Sequence, residues 1–499
     1  MARPIAQAVA AVPKIEVTIT KTGLRKISPY WYNYTTMAKG RWLGREILEV
    51  VSTEFRDRSM EYYRYALDSG VTTVNGDVAK PDTIIRNGDR IENIVHRHEP
   101  PVTAVPVRVI HHDKEREFVV VDKPGGMPVH AVGRYYHQTL IQILKTDFGF
   151  DKLYAVNRID RPTSGLLIIP LSPKLANTLA SEFISGGVQK EYVARCSGRF
   201  PEEEVICEQP LLTVDRQMGL NIVHPEGKHA KTIFNRLHYD PETDTSVLHS
   251  HQIRVHLQYL GHSIANDPIY SSVDIWGEDL GKGGVDIVPS DERAAPAPPP
   301  DFDFAEGDNP ESLAIQSAAA SGDASADGRK LLPRETGHDI GMGSPVPLSN
   351  QVVQVITNLR NQKDKDEDWG RWRDVVFRTK GKLTPLFNKP PPLPPQNRRK
   401  RGGPSTPERE APLPTPPQLP VEEALEKATE YTEPNVDIEM FPGTDQPKYC
   451  PECYLPLYPD QKPEKLYIFL HALRYTTSLG RFETELPAWA AKGFKWDRD

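Results

Sequence analysis

Short apolar runs broken by turn residues dominate residues 105–276. The stretches "REFVVVDKP", "LYAVNRID", "SGLLIIPLS", "KEYVARCSG", "TIFNRLHYD" and "TSVLHS" each have the length and β-branched content of a strand. Two stretches switch to helical spacing: Lys174 to Ile184, and Gln252 to Leu260 with Ile253, Leu257 and Leu260 on one face. Strands outnumber helices, which predicts an α+β domain with a mixed or antiparallel sheet.

The pattern changes on either side. Residues 51–97 form a compact unit. "RDRSMEYYRYALDSG" has helical spacing and ends at Gly70, "VTTVNGDVA" carries the Asn75-Gly76 hairpin signal, and a second turn falls at Asn87-Gly88-Asp89. Residues 1–50 interleave aromatic and basic side chains, with eight basic residues against three acidic. Such a mixture suits stacked bases and phosphates, although single Tyr and Trp residues also read as core. Residues 277–440 contain "APAPPPDFD", "KPPPLPPQ" and "APLPTPPQLP", which favour extended conformations and build no core. One island there, beginning "VVQVITNLRNQ", has helical spacing. Residues 441–499 become globular again and are expected to complete the domain interrupted near Trp276.

Composition agrees with folded parts diluted by a long disordered insert: 499 residues, 38% hydrophobic, 47 prolines. A net charge of -7 excludes a uniformly basic nucleic-acid coat, so any phosphate contact rests on local patches. No apolar run approaches the ~20 residues of a membrane span, and no membrane association is expected. The opening "MARPIAQAVAAVPK" holds two basic residues and makes a poor transit peptide. The expected compartment is therefore the cytoplasm or nucleus, ahead of the mitochondrion. Of the four cysteines, Cys450 and Cys453 form a CxxC, with His471 further on. Cys196 and Cys207 are distant in sequence. Zinc needs four ligands, so Cys450 and Cys453 are weak candidates and no metal is expected.

The sharpest chemical feature is "AVNRIDRPTSGLLII". Asp160 is expected at the end of an apolar strand, between Arg158 and Arg161. Flanking guanidinium groups favour an ionised carboxylate, which serves as base, metal ligand or covalent nucleophile. The same residues also read as a structural Asp held by Arg in a loop.

Three further segments accompany it: "VVVDKPGGMPVH", "KEYVARCSG" and "HQIRVHLQYLGHSIANDPIY". In order and content the four motifs resemble RluA-type pseudouridine synthases. Residues 20–50 and "CPEC…LYIFLHALRY" resemble the eukaryotic branch of that family, and residues 51–97 resemble the small RNA-binding module named after a ribosomal small-subunit protein. The resemblance implies an isomerase that converts uridine to pseudouridine in RNA. Transfer RNA is the expected substrate, with messenger RNA second. It implies no cofactor, and the chain is expected to act as a monomer. Asp160 matches the catalytic aspartate, Tyr192 the aromatic residue that stacks on the base, and Arg254 the basic partner of the aspartate. Arg158 matches the arginine that takes the place of the extracted base, with Arg161 and Asn157 beside it at the substrate.

The chain departs from the family in two places. Asn157 stands where the family usually has His. In addition, a Pro-x-Thr-Gly-Arg-Thr segment is missing between "SVLHS" and "HQIRVHL". Ser250 is then the expected N-cap of the helix. A shortened connection displaces Arg254, and a shift of about 1 Å costs on the order of a hundredfold in rate. The alternative reading is therefore a catalytically impaired RNA-binding protein, from a mis-spliced gene model.

Overall fold

The computed structural model describes residues 15–54, 60–68, 70–215, 219–250, 253–289, 346, 348–367, 440–442, 446–450 and 457–497. No helix among them is long and apolar enough to cross a membrane. The architecture is the expected α+β type, built around one large mixed sheet.

The N-terminal part holds strands β1 (Val17–Ile19), β2 (Leu24–Ile27) and β3 (Tyr30–Met37), then helices α1 (Ile47–Glu54) and α2 (Met60–Asp68). Strands β4 (Thr72–Val74), β5 (Asp77–Val78), β6 (Arg90–Arg97) and β7 (Val102–Thr103) follow. The β4–β5 turn places Asn75 and Gly76 at positive φ, as an Asn-Gly hairpin requires. Strands β3, β6, β4 and β5 form an antiparallel sheet in that order. Trp42, Ile47, Leu48, Val51, Leu67 and Ile91 lie in the core beneath it. The unit thus draws on β3 and α1 as well, and a domain boundary at residue 50 would cut α1.

The large sheet begins with β8 (Arg108–Asp113) and β9 (Phe118–Lys123). After α3 (Leu140–Phe148) come β10 (Ser164–Pro170), α4 (Pro173–Ser185), β11 (Gln189–Ser197) and β12 (Val205–Cys207). A hairpin of β13 (Leu211–Asp215) and β14 (Leu220–Val223) precedes β15 (Thr232–Asp240), β16 (Thr245–Ser250), α5 (Ile253–Tyr259) and α6 (Val273–Trp276). Helix α7 (Asn350–Glu367) lies inside the proline-rich range, and β17 (Leu470–Thr477) and β18 (Gly480–Glu483) close the series. The spatial order is β12-β15-β16-β11-β17-β10-β9-β8, with β18 paired to β17. Strand β17 runs antiparallel to β11 and parallel to β10. The C-terminal segment therefore supplies a central strand.

Both faces of this sheet are covered. In β9, Phe118 and Val120 join one apolar cluster while Val119 and Val121 join another. The continuous run "FVVV" is what such a two-sided burial demands. Helix α5 buries Ile253 and Leu257 among Phe234, Val247 and Phe469.

Three expectations change. "LYAVNRID" forms no strand: only Tyr154 N reaches a neighbouring strand, at Pro170 O (3.0 Å), and Ile159 packs without a ladder. Asp160 consequently sits on an irregular segment. The range 277–440 is not wholly coreless. Helix α7 buries Val352, Val353 and Ile356 against Tyr270, Ile275 and Trp276, and Arg360 pairs with the buried Asp215 at 2.8 Å. The rest of the "VVQVITNLRNQ" island beyond Glu367 lies outside the described residues. Finally, Ser250 does not cap α5. It pairs with Tyr192 and Phe234 as the last residue of β16, and its Oγ is buried without a hydrogen-bond partner.

Gly165 shows how tightly β10 and β17 are joined. Its φ is +115°, and a Cβ there would lie 2.2 Å from Ala472 O and 2.5 Å from Ala472 N. Backbone cannot yield as a side chain does. Gly165→Ala is expected to cost about 3 kcal/mol or more, read as a lowered urea midpoint or loss of soluble protein.

Candidate active site

Asp160 opens a short turn clamped from three directions. Thr163 N donates to Asp160 O at 3.1 Å, Gly126 N donates to Arg161 O at 2.8 Å, and Ile468 N donates to Pro162 O at 3.1 Å. Beneath it lies Lys123, fully buried, whose Nζ donates to the carbonyls of Pro124, Met127 and Arg161 at 2.9, 2.7 and 3.3 Å. Burial pushes the ammonium pKa down to about 7, while the nearby Asp160 charge opposes the shift. Lys123 thus acts as a donor plug under the turn that presents Asp160.

The Asp160 side chain is 51% exposed and faces Arg254, whose Nη1 donates to Oδ2 at 3.1 Å. The two residues join across 94 positions of sequence. The contact forms although α5 follows β16 after only His251 and Gln252, which lie outside the described residues. The shortened connection therefore leaves Arg254 within reach.

Arg254 is itself held by a residue that sequence reasoning did not single out. Asp267, fully buried, accepts from Arg254 Nε at 2.6 Å and Nη2 at 2.9 Å. Asp267 Oδ1 also accepts from the backbone N–H groups of Ile269 and Tyr270 at 3.0 and 3.1 Å. The Tyr270 ring lies under the guanidinium at 4.9 Å. Burial alone would lower the Arg254 pKa, but the Asp267 carboxylate outweighs it and holds the value above the ordinary range. A fixed guanidinium thus has two ends, one locked to Asp267 and one turned to Asp160.

Tyr192 comes from β11, partly buried, with its hydroxyl 3.0 Å from that of Tyr475 on β17. Burial pushes the phenol pKa up, with the Asp160 charge adding to the rise and the Tyr475 hydrogen bond opposing it. Tyr475 is fully buried and raised further, chiefly by burial. Both phenols are therefore neutral at pH 7. Arg158 is exposed, and Arg161 places its guanidinium 5.9 Å from the Tyr135 ring centroid. Asn157 has its Oδ1 buried without a hydrogen-bond partner.

Asp160, Arg254 and Tyr192 are thus brought to one end of the large sheet from three elements. Asp267, Tyr270, Tyr475 and Lys123 complete it. Asp267 and Tyr270 stood in the quoted "ANDPIY", Lys123 in "VVVDKPGG" and Tyr475 in "LHALRY". Spacing along the chain carries no sign that they meet.

Residues 117–259 match the family model described as RNA pseudouridylate synthase. A yeast (Saccharomyces cerevisiae) protein named "tRNA pseudouridine(31) synthase" is 32% identical, over 52% of this chain and 75% of its own length. The chain belongs to the RNA pseudouridylate synthase family. Another yeast relative of these pseudouridylate synthases, "tRNA pseudouridine(32) synthase, mitochondrial", is 46% identical over 55% of this chain and 62% of its own length. The human "Pseudouridylate synthase RPUSD2" is 42% identical over 52% of this chain and 49% of its own length. The chain thus spans between about half and two thirds of these two synthases. The preference for cytoplasm or nucleus is overturned by the 46% identical relative, which is itself named as mitochondrial. That preference rested on the few basic residues at the start of the chain, a weak guide to compartment.

Proposed function

We propose that this chain isomerises uridine to pseudouridine in RNA, with transfer RNA as the substrate class. The observation that carries the reading is the half-exposed Asp160 carboxylate held at 3.1 Å by a fixed Arg254. Such a carboxylate is open to substrate on one side and oriented by a cation on the other. The names of the two yeast relatives, both for tRNA positions, support the choice of RNA.

In the proposed reaction Asp160 attacks uridine, by addition to the base or displacement at the sugar. The bond between N1 and the ribose breaks, the base turns, and C5 bonds to the same ribose carbon. The carboxylate is then released. C5 gives up a proton and N1 gains one, so the step is an isomerisation with no external reactant. Tyr192 stacks on the base and helps remove the C5 proton. Because its phenol starts neutral, it takes that proton only as it releases its own. Arg254 holds the Asp160 carboxylate aimed at the substrate. Arg158, exposed beside the turn, fills the space left by the extracted nucleotide, with Arg161 and Asn157 at the rim.

The test is direct. Purified protein is incubated with unmodified tRNA transcripts and the products are mapped by carbodiimide-dependent primer-extension stops. New pseudouridine at a defined position is expected. Absence of any new pseudouridine in tRNA and in total RNA from cells lacking the protein overturns the proposal.

A further inference from the structure

A second cluster of reactive side chains lies away from Asp160. His96 is on β6 and His98 follows two residues later. The period of two along an extended chain turns both imidazoles to one side. Their rings stand 86° apart with centroids at 4.8 Å, and His98 Nε2 is 3.1 Å from His96 Nδ1. Cys450 joins them from 354 positions away, with its Sγ 3.6 Å from His96 Nδ1. The three potential ligand atoms all lie within 4.8 Å of one another, and His96 and Cys450 are buried.

The His98–His96 and His96–Cys450 separations match two edges of a coordination tetrahedron. Zinc bonds of about 2.0–2.1 Å to nitrogen and about 2.3 Å to sulfur put two nitrogens roughly 3.3 Å apart and nitrogen and sulfur roughly 3.6 Å apart. Hydrogen bonding between imidazoles, and between thiol and imidazole, accounts for each contact singly. It does not require all three atoms to converge. The mix of imidazole and thiolate suits zinc better than magnesium or calcium, which prefer oxygen.

We propose that His96, His98 and Cys450 supply three of the four ligands of a zinc ion that fastens the C-terminal segment to the N-terminal sheet. A second contact joins the same two parts of the chain: Lys26 on β2 pairs with Asp460 at 2.7 Å. The ion joins two parts separated by the proline-rich range, so its binding energy contributes directly to folding. Cys450 coordinates as thiolate and releases its proton on binding, which strengthens binding as pH rises. This reading departs from the expectation of no metal. The histidines beside Cys450 are not His471, which lies on β17 bonded to Ser164 and Thr484. Cys453, at CxxC spacing, lies outside the described residues.

The test uses the full chain, purified under reducing conditions and reconstituted with zinc alone. Elemental analysis is expected to find stoichiometric zinc. Cobalt substitution is expected to give a thiolate-to-cobalt charge-transfer band. His98→Ala and Cys450→Ser are expected to lose the ion, while Cys207→Ser keeps it. Chelation should lower the melting temperature of the unaltered chain but not of His98→Ala. Should the variants fail to fold, the cobalt spectrum of the unaltered chain still decides. No zinc after reconstitution, no charge-transfer band, or zinc retained in full by both ligand variants overturns the proposal. None of these readings depends on pseudouridine formation.

Discussion

Asp160→Ala is expected to abolish pseudouridine formation while leaving the fold and RNA binding in place. The side chain is half-exposed, and its one described side-chain partner is Arg254. Arg254 keeps both bonds to Asp267 when Asp160 is removed, so no buried charge is stranded. The stability change should therefore stay within about 0.5 kcal/mol. The chemistry has no such reserve. Loss of a covalent nucleophile lowers turnover by about ten-thousand-fold or more. Tritium release from ring-labelled uridine in tRNA reads the first quantity, and filter binding reads the second. Affinity should hold or rise slightly, because a negative charge has left the exposed part of the proposed RNA site. Full activity in this variant overturns the assignment of Asp160.

Asp267→Asn is expected to be the next most damaging change, through stability and catalysis together. Its carboxylate is buried and satisfies two guanidinium N–H groups and two backbone N–H groups. Asparagine keeps the shape, loses the charge and turns an N–H group toward one of those donors. Breaking one side of a buried ion pair costs about 3–5 kcal/mol, because the remaining charge stays desolvated. Arg254 would then keep only Asp160 and the Tyr270 ring and be freer to swing. A displacement of about 1 Å lowers turnover on the order of a hundredfold. The expected result is a large fall in kcat with KM nearly unchanged, and a lowered urea midpoint. An equal loss in KM would instead place Asp267 at the RNA surface.

The sequence revealed strands where burial on both faces leaves a continuous apolar run, as in "SGLLIIPLS". It misled where apolar residues pack without a ladder, as in "LYAVNRID". A run of Leu, Val and Ile reports burial and says little about pairing. The family motifs carried Asp160, Tyr192 and Arg254 together because each motif holds its residue in a recognisable local context. Asp267 and Tyr475 also stood in quoted motifs, but nothing along the chain marked their partners 13 and 283 positions away. His96 and His98 were equally silent, since the cysteine that meets them lies beyond the proline-rich range. Ser250 was misread for the opposite reason. A serine before a helical run is a good local cap signal, but here the sheet keeps that residue in its own ladder.

The central place of β17 carries a consequence for synthesis. Leu470 and its partner Ser164 are 306 residues apart. At ordinary elongation rates, roughly 15 to 60 s pass between the emergence of β10 and the arrival of β17. Through that interval β10 and β11 each show an unpaired edge, the most adhesive surface a nascent chain can present. Ribosome pausing, chaperone supply and the length of the proline-rich range would therefore set the yield of folded protein, without altering any residue near Asp160.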